Sequence, residues 1–278
     1  MNGKTFVSAV LDGSPAAQAG LKTGDQLLSV DGRSYQQIQS FAGKAGQKVN
    51  LLIQRTTAPN SRKQVAVTPK MLDATTMFLD AQKASREVIE QERKKIGYVH
   101  IWSYAGEQYQ QQLESDLITG SFKDVDGLVL DLRDGWGGAS PTYLGLFTAK
   151  IPDMTIIRRD GSRTIRRFQW KKPVIMVVNE GTRSGKEILA FGFQQYNIGS
   201  LVGSKTAGAV VAGSPFLMQD GSVLYLAISD VLLNDKHRLE GKGVTPDINV
   251  PFPLEYAQGA DPQKQQAVEV ALKAVTGE

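Results

Sequence analysis

The sequence predicts an α/β protein in which a small β-rich domain precedes a larger α/β core. Two observations carry this prediction. Residues 1–68 contain short alternating strands between glycine and proline turns. From Ile96 onward, apolar strands alternate with helices, which is the pattern of layered α/β architectures. The length of 278 residues, 41 % of them hydrophobic, is sufficient for two domains with cores of their own.

In the β-rich part, apolar residues alternate along Phe6–Val10 and again in Gln26–Val30, which predicts two strands. Between these strands a proline opens a short helix, and Gly20 ends it. The dipeptide Asp31-Gly32 is a hairpin signal. We further predict a polar helix over 35–42 and strands over 49–53 and 64–67.

Residues 69–95 are predicted to link the two domains. Apolar residues recur at helical spacing from Met77 to Ile89, and the charged run Glu90–Lys95 follows them. The sequence therefore predicts a solvated helix from Thr75 to Lys95, with domain boundaries at 68 and 95.

The core, residues 96–278, is predicted to alternate strands with helices. The continuous apolar runs Leu128–Leu132 and Val174–Val178 indicate buried strands. The other predicted strands cover 96–101, 200–203 and 223–228, and the predicted helices cover 107–118, 141–147, 187–195 and 262–275.

Composition excludes several classes of function. The 32 Lys and Arg residues exceed the 28 Asp and Glu residues by only 4, and they are scattered, so we expect no nucleic-acid groove. The absence of cysteine excludes disulfides and thiolate chemistry, and two histidines, His100 and His237, are too few for a zinc site. No apolar run approaches the ~18 residues of a membrane-spanning helix. We expect no metal, no cofactor and no membrane span.

Two turns at strand ends are candidates for chemistry, because open α/β sheets place their sites at the carboxyl ends of strands. The first, Asp131–Ala139, has paired glycines whose N–H groups are unobstructed toward a developing negative charge. The second, Asn179–Ile188, places Ser184 at a strand-to-helix corner, either as a nucleophile or as an ordinary helix cap. His237 follows the serine in chain order, which leaves a Ser–His enzyme as an alternative.

The pattern Gly-Ser-Pro-Ala-x-x-Ala-Gly-Leu-x-x-Gly-Asp-x-Leu-x-x-Val-Asp-Gly over residues 13–32 closely resembles a bacterial-type PDZ domain. The resemblance implies a domain that binds a peptide C-terminus by adding it as a strand to a sheet edge. In that family the carboxylate-binding loop precedes the first strand, where only Met1–Thr5 remain, so we expect an N-terminally truncated domain. A β-rich spacer is the alternative.

Residues 96–253 resemble the C-terminal-processing (tail-specific) serine peptidases. The matching motifs are, in order, Ile96–Val99, Leu130–Arg133 with Gly137-Gly138, Asn179–Ile188, Leu201–Gly208, Asp220–Ser222 and Glu240–Asp247. The resemblance implies a crotonase/ClpP-like core with Ser184 as the nucleophile. It implies an oxyanion hole made by the backbone N–H of Gly185 and one from Gly137 or Gly138, and it implies no metal or organic cofactor.

The general base of that family is a lysine in a Thr-Phe-Gly-Lys-Gly turn. Here the turn over 206–210 reads Thr-Ala-Gly-Ala-Val, with Ala209 at the lysine position, and a methyl group accepts no proton. Two lysines inside the matching motifs are candidate replacements: Lys186, which a distorted first helical turn would bring to the nucleophile, and Lys205, on the loop of the missing base. Glu240 resembles the acid of a related branch that uses histidine.

The sequence thus predicts a serine endopeptidase that cleaves unfolded or C-terminally exposed polypeptides. We expect these polypeptides to be its partners and to bind in part through their C-termini. A catalytically inactive peptide-binding scaffold of the same fold is the alternative, and an acyl-thioester-binding relative of the crotonase-like fold is another. Because the resembling peptidases work in the bacterial envelope, we expect export to the periplasm, with the signal segment outside this sequence. No feature of the sequence predicts an oligomeric state.

Overall fold

The computed structural model describes residues 3–149, 152–166 and 169–277. They form two compact units. The first unit comprises the residues up to Ser85 together with Pro251–Pro262, and the second comprises Arg86–Val250 and the residues from Gln263 onward. The expected truncation of the β-rich domain falls partly on residues 1–2, which lie outside the described residues.

The first unit contains a five-stranded antiparallel sheet. Its elements are β1 (Thr5–Phe6), α1 (Pro15–Gln18), β2 (Gln26–Val30), β3 (Arg33–Ser34), β4 (Val49–Gln54), β5 (Arg62–Val67) and α2 (Met77–Ala84). The strand order is β1-β2-β4-β5, with β3 beside β2. Alternate residues on β2, β4 and β5, including Val30, Leu51, Ile53 and Val65, point to one face and form the core.

The predicted helix over 35–42 is wrong, since this segment consists of turns. The hydroxyl of Ser40 accepts a hydrogen bond from the N–H of Gln36 at 2.8 Å. Serine hydroxyls compete in this way with helical backbone bonding.

The predicted linker helix is wrong beyond Ala84. Residues 87–91 form a strand, in which Val88 and Ile89 have the β-branched side chains that favour strands. The next two residues, Glu92 and Arg93, both have positive φ and reverse the chain. The structure therefore divides the chain after Ser85, inside the predicted linker.

The second unit contains a six-stranded sheet and two separate hairpins. Its strands are β6 (Glu87–Gln91), β7 (Lys94–His100), β8 (Gly127–Asp131), β9 (Met154–Ile157), β10 (Arg163–Arg166), β11 (Val174–Val178), β12 (Leu201–Gly203), β13 (Val211–Leu217), β14 (Val223–Asp230) and β15 (Ile248–Asn249). Its helices are α3 (Gln108–Ile118), α4 (Gly145–Thr148), α5 (Gly185–Gln195) and α6 (Pro262–Thr276), with a 3₁₀ turn at Pro141–Leu144. The predicted α/β class is confirmed.

The six-stranded sheet has the order β15-β12-β11-β8-β7-β6 and is parallel except for β6 at one edge. The two central strands, β8 and β11, are buried along their whole length. Ala267, Ala271 and Leu272 of α6 pack in the same core cluster as Val129 and Ile175. Because β8 and β11 are adjacent and parallel, the turns that follow them meet at one edge of the sheet.

Two antiparallel hairpins, β9–β10 and β13–β14, are sheets of two strands each. The sequence predicted only part of the second, over 223–228. The longest described helix, α6, has 15 residues, and no described helix combines the length and the apolarity that crossing a membrane requires.

Candidate active site

Ser184 lies at the corner between β11 and α5. Its backbone has φ 58° and ψ −130°, a conformation that residues with a side chain rarely adopt. The N–H of Ser184 donates to the carbonyl of Ala209 at 3.0 Å and to Oε2 of Glu187 at 3.1 Å. The strained corner is therefore held by the facing loop and by its own helix, as is typical of strained residues at functional sites.

Gly137 lies directly against this corner. A Cβ added at Gly137 would stand 2.5 Å from Cβ and 3.1 Å from Oγ of Ser184, so only glycine fits there. Gly138 has φ 96°, which also favours glycine. Gly185 packs as closely on Ala139, because a Cβ at Gly185 would stand 2.4 Å from the nitrogen of that residue. The structure thus brings the three predicted glycines to one place with the serine.

A hydrogen-bond network joins the turns that follow β8 and β11. Oδ1 of Asn179 accepts from the N–H groups of Asp134 and Gly181, at 3.1 and 3.0 Å. Its Nδ2 donates to Oδ1 of Asp134 at 3.1 Å. The hydroxyl of Thr182 donates to the carbonyl of Leu132 at 3.0 Å. These cross-links fix the glycine turn relative to the serine corner.

Glu187 is fully buried and binds four donors. Oε1 accepts from the hydroxyl of Thr206 at 2.5 Å and from the N–H of Gly208 at 2.7 Å. Oε2 accepts from the N–H groups of Ala209 and Ser184, at 2.8 and 3.1 Å. Glu187 was not among the predicted site residues, although Ser-x-x-Glu at a helix start is the signature of a capping box. This carboxylate fastens the 206–209 loop to the serine corner.

Ala209 is the residue of this loop that lies beside the nucleophile candidate. Its carbonyl accepts the bond from Ser184, and its N–H donates to Glu187. Its side chain is an exposed methyl group. A side chain at position 209 therefore starts next to the serine, and the methyl group present offers no proton acceptor.

Lys186 is fully buried, and its amine is bonded to backbone carbonyls. Its Nζ donates to the carbonyls of Trp102 at 3.1 Å and Asp134 at 2.9 Å. Within the described chain, no hydrogen bond links this amine to Ser184. The prediction that Lys186 acts as the general base has no hydrogen bond in its support and stays a prediction. The amine holds the glycine turn that begins after β8.

No hydrogen bond among the described residues joins Lys205, Glu240 or His237 to the serine hydroxyl. The side chain of Lys205 is exposed and has no hydrogen bond to any described residue. Oε2 of Glu240 accepts from the N–H of Val210 at 2.6 Å, so this side chain supports the 206–210 loop. The ring of His237 packs against Phe191, with centroids 5.1 Å apart. None of the three contacts Ser184 through a bond among the described residues.

A buried ionic cluster lies beneath the glycine turn. Oδ2 of Asp131 accepts from Nη2 of Arg133 at 2.6 Å and from the hydroxyl of Tyr98 at 2.8 Å. Burial alone would raise the pKa of Asp131. The charges of Arg133 and His100, together with the hydrogen bonds from Arg133, outweigh burial and hold that pKa well below its usual range. Burial lowers the pKa of His100, whose Nε2 lies 2.9 Å from the carbonyl of Arg133. This cluster supports the turn from below.

Burial also lowers the pKa of Lys186 to about 7, despite the opposing attraction of Asp131 and Asp134. The ordinary value is 10.5, so between these two pH values the unfolded chain binds more protons than the folded chain. The free energy of unfolding therefore rises with pH across this interval. It is lowest below the folded pKa, where the folded state must carry the buried charge.

We expect the wild-type chain to gain stability relative to Lys186→Met as the pH rises from about 7 to about 10, by up to several kcal/mol. Methionine keeps the apolar stem and removes the titrating amine. Urea unfolding of both proteins at a series of pH values measures the difference. A stability difference that stays constant across this range would contradict a buried amine with a depressed pKa.

Comparison with known families gives two matches. The sequence profile of peptidase family S41 matches residues 95–250, more than half of the chain. The profile of the PDZ domain matches residues 6–55. The predicted fold class, an α/β core of this type behind a PDZ domain, is confirmed.

Curated relatives match most of this chain. The chain is 27 % identical to a carboxyl-terminal-processing protease of Synechocystis sp., over 95 % of this chain and 64 % of the relative. It is 26 % identical to the carboxy-terminal processing protease CtpA of Bacillus subtilis, over 92 % of this chain and 55 % of that protein. The chain thus spans between half and two thirds of the length of these relatives.

Solved structures show the same fold at lower sequence identity. The tricorn protease superposes with a TM-score of 0.59 at 20 % identity, over 98 % of this chain and 28 % of that one. Mature CPAF in complex with lactacystin superposes with a TM-score of 0.56 at 13 % identity, over 100 % of this chain and 82 % of that one. At such identities the likeness extends to the fold alone.

Proposed function

Because the chain belongs to peptidase family S41, we propose that it is a serine endopeptidase that cleaves unfolded or C-terminally exposed polypeptides, with Ser184 as its nucleophile. The observation that carries the proposal is the contact between Gly137 and Ser184, where a Cβ on the glycine would stand 3.1 Å from the serine Oγ. A glycine turn and a strained serine meet there at the ends of adjacent strands, which is an arrangement suited to acyl transfer.

In the proposed reaction, Oγ of Ser184 attacks the carbonyl carbon of the scissile peptide bond. The carbonyl oxygen becomes an oxyanion and accepts hydrogen bonds from the N–H of Gly185 and from that of Gly137 or Gly138. Among the described residues, no acceptor already takes a hydrogen bond from these three N–H groups. The C–N bond then breaks, the leaving amine takes the proton that the hydroxyl of Ser184 lost, and water hydrolyses the acyl-enzyme to release the acid and restore the hydroxyl. One such donor typically contributes ~10²–10³-fold to kcat.

A second candidate function, a peptide-binding scaffold that does not cleave, is favoured by one observation. The position beside the nucleophile carries the methyl group of Ala209, and Lys186 and Lys205 have no hydrogen bond to the serine. A positioned general base contributes ~10²–10⁴-fold, so a serine without one attacks slowly. Both candidates keep the same peptide-binding core and differ in turnover.

We propose that the PDZ domain presents polypeptide substrates through their C-termini. In support, this unit has an apolar groove of about 310 Å³, lined among others by Leu11, Leu21, Phe41 and Leu51. Apolar grooves next to a sheet edge accept peptide side chains, while the backbone of the peptide pairs with the edge.

We also propose that the protein is exported to the periplasm. Polypeptides of the bacterial envelope would then be its substrates.

The test of the proposed function is turnover of a permanently unfolded polypeptide, followed by mass spectrometry of the products. We expect the unmodified chain to cleave the polypeptide slowly, because it has no positioned general base. The cleavage rate of Ser184→Ala should be lower by at least about 10²-fold. Equal cleavage by the two proteins would refute Ser184 as the nucleophile. Binding of the polypeptide without any cleavage would select the scaffold.

A further inference from the structure

A pocket of about 370 Å³ lies in the second unit, at the amino-terminal edge of β11. Val174, the first residue of that strand, lines it together with Tyr196 and Asn197, which follow the last turn of α5. Ser184 precedes the opposite end of α5. Because a helix of 11 residues is about 16 Å long, the pocket and the serine corner are separate places. The volume is in the range of small-molecule sites.

Trp170 lines this pocket and has a buried hydrogen-bond donor without an acceptor. The residue is 7 % exposed, and no described residue accepts from its indole Nε1–H. Its backbone N–H donates to the carbonyl of Leu146 at 2.9 Å, which holds Trp170 against α4. Native proteins rarely bury an N–H group unpaired, because the loss of its bonds to water is then not recovered. A ligand that carries an acceptor would pair this group.

Two lysines make the pocket positive. Nζ of Lys172 lies 5.2 Å from the centre of the Trp170 ring and donates to two backbone carbonyls just before β8. An ammonium group has three N–H bonds, so one is not used among the described residues. Lys171 lines the pocket as well, and its amine lies 3.6 Å from Asp153. Since no acidic side chain is among the described lining residues, the pocket favours an anion.

Part of the wall is apolar. Phe147, Val174 and Ile198 line the pocket beside the Trp170 ring. The pocket has several times the volume of a carboxylate group, so an occupant that fills it has a body as well as a charge. Sites of this kind bind the body on apolar walls and orient it with a few polar groups.

We propose that this pocket binds a small organic carboxylate, whose oxygens accept hydrogen bonds from the indole N–H of Trp170 and the amine of Lys172. Bonds of this kind to a charged acceptor are stronger than those between neutral groups. The apolar body packs against Phe147 and Val174. A free acid and the C-terminal residue of a polypeptide share this chemistry. The site does not depend on the chain being a peptidase.

The indole N–H groups give a readout specific to this site. The chain has three tryptophans, at 102, 136 and 170, and all of them lie in the second unit, so binding in the groove of the PDZ domain involves none of them. We expect isocaproate to move the indole cross-peak of Trp170 downfield in heteronuclear NMR spectra of the full chain. The cross-peak of Trp136, in the glycine turn, should not move. Trp170→Phe identifies the signal.

Isocaproamide has nearly the shape of isocaproate without its charge. It should bind about tenfold or more weakly, because hydrogen bonds to charged groups contribute more than neutral ones. An unmoved Trp170 cross-peak at millimolar isocaproate would overturn the proposal, and so would equal affinities for the acid and the amide. Acetyl-Ala-Ala-Leu, added to Ser184→Ala so that it is not cleaved, separates the two sources. The same shift as with isocaproate identifies a polypeptide C-terminus, and isocaproate binding alone identifies a free acid.

Lys172→Met keeps the stem of the side chain and removes the amine. Measured on the Trp170 cross-peak, its Kd for isocaproate should be higher by about tenfold or more. Lys273→Met, which removes an exposed amine from α6, is the matched control and should leave the Kd unchanged. Equal Kd values for the two variants would contradict the role of Lys172. The comparison of acid with amide uses the unmodified chain and decides the proposal even if Lys172→Met does not fold.

Discussion

Replacing Ala209 by lysine is expected to raise the rate of polypeptide cleavage by about 10²-fold or more. The backbone of Ala209 bonds both Ser184 and the carboxylate of Glu187, so a lysine side chain would start beside the serine hydroxyl. The methyl group is exposed, and neither backbone bond involves the side chain. The longer side chain therefore requires no rearrangement of the loop. Initial rates on an unfolded polypeptide measure the effect.

Ala207→Lys is the matched control for this gain. Ala207 lies two residues away on the same loop and is also exposed, and its N–H bonds Thr182. A lysine there adds the same charge and the same stem but no bond to the serine corner. Equal rates for Ala207→Lys and Ala209→Lys would show that charge, and not a positioned base, causes the gain. If neither variant cleaves faster than the unmodified chain, a lysine at position 209 does not supply the missing general base.

Gly137→Ala is expected to lower kcat/KM by at least about 10²-fold in the Ala209→Lys background. The new Cβ would stand 2.5 Å from Cβ of Ser184, a distance at which one of the two backbones must move. Either movement displaces the serine from the N–H groups of the glycine turn. Steady-state kinetics on a fluorogenic peptide measures the loss.

Gly145→Ala is the control for the added methyl group. A Cβ at Gly145 meets no atom within 4 Å, and its φ of −56° suits any residue. Activity should therefore be unchanged. If Gly137→Ala were as active as Gly145→Ala, the glycine turn would not form part of the catalytic site.

The placement of the serine corner could be predicted because it depends on local signals. A buried apolar strand, a turn and a helix start define where Ser184 lies, and paired glycines define the facing turn. Glu187 had a local signal as well, in the Ser-x-x-Glu spacing at the start of α5. Three of the four donors that converge on it come from the 206–209 loop, about 20 residues away, and no spacing in the sequence reveals them.

Features that depend on distant contacts were not predictable in the same way. Residues 87–91 form a strand because they pair with β7, and the turn between these strands uses Glu92 and Arg93 at positive φ. Such turns usually contain asparagine or glycine, and neither residue occurs at positions 92 and 93 to indicate a hairpin. The direction of Lys186 depends on which side of α5 faces Trp102, and helical periodicity does not specify that.

The site of modification by a fluorophosphonate tests directly whether Ser184 is the nucleophile. This reagent forms a covalent bond with an activated serine and leaves a mass increase that peptide mass spectrometry assigns to one residue. Our account predicts a single adduct, on Ser184, formed faster in Ala209→Lys than in the unmodified chain and absent in Ser184→Ala. An adduct on another serine, or no adduct in either the unmodified chain or Ala209→Lys, would contradict it.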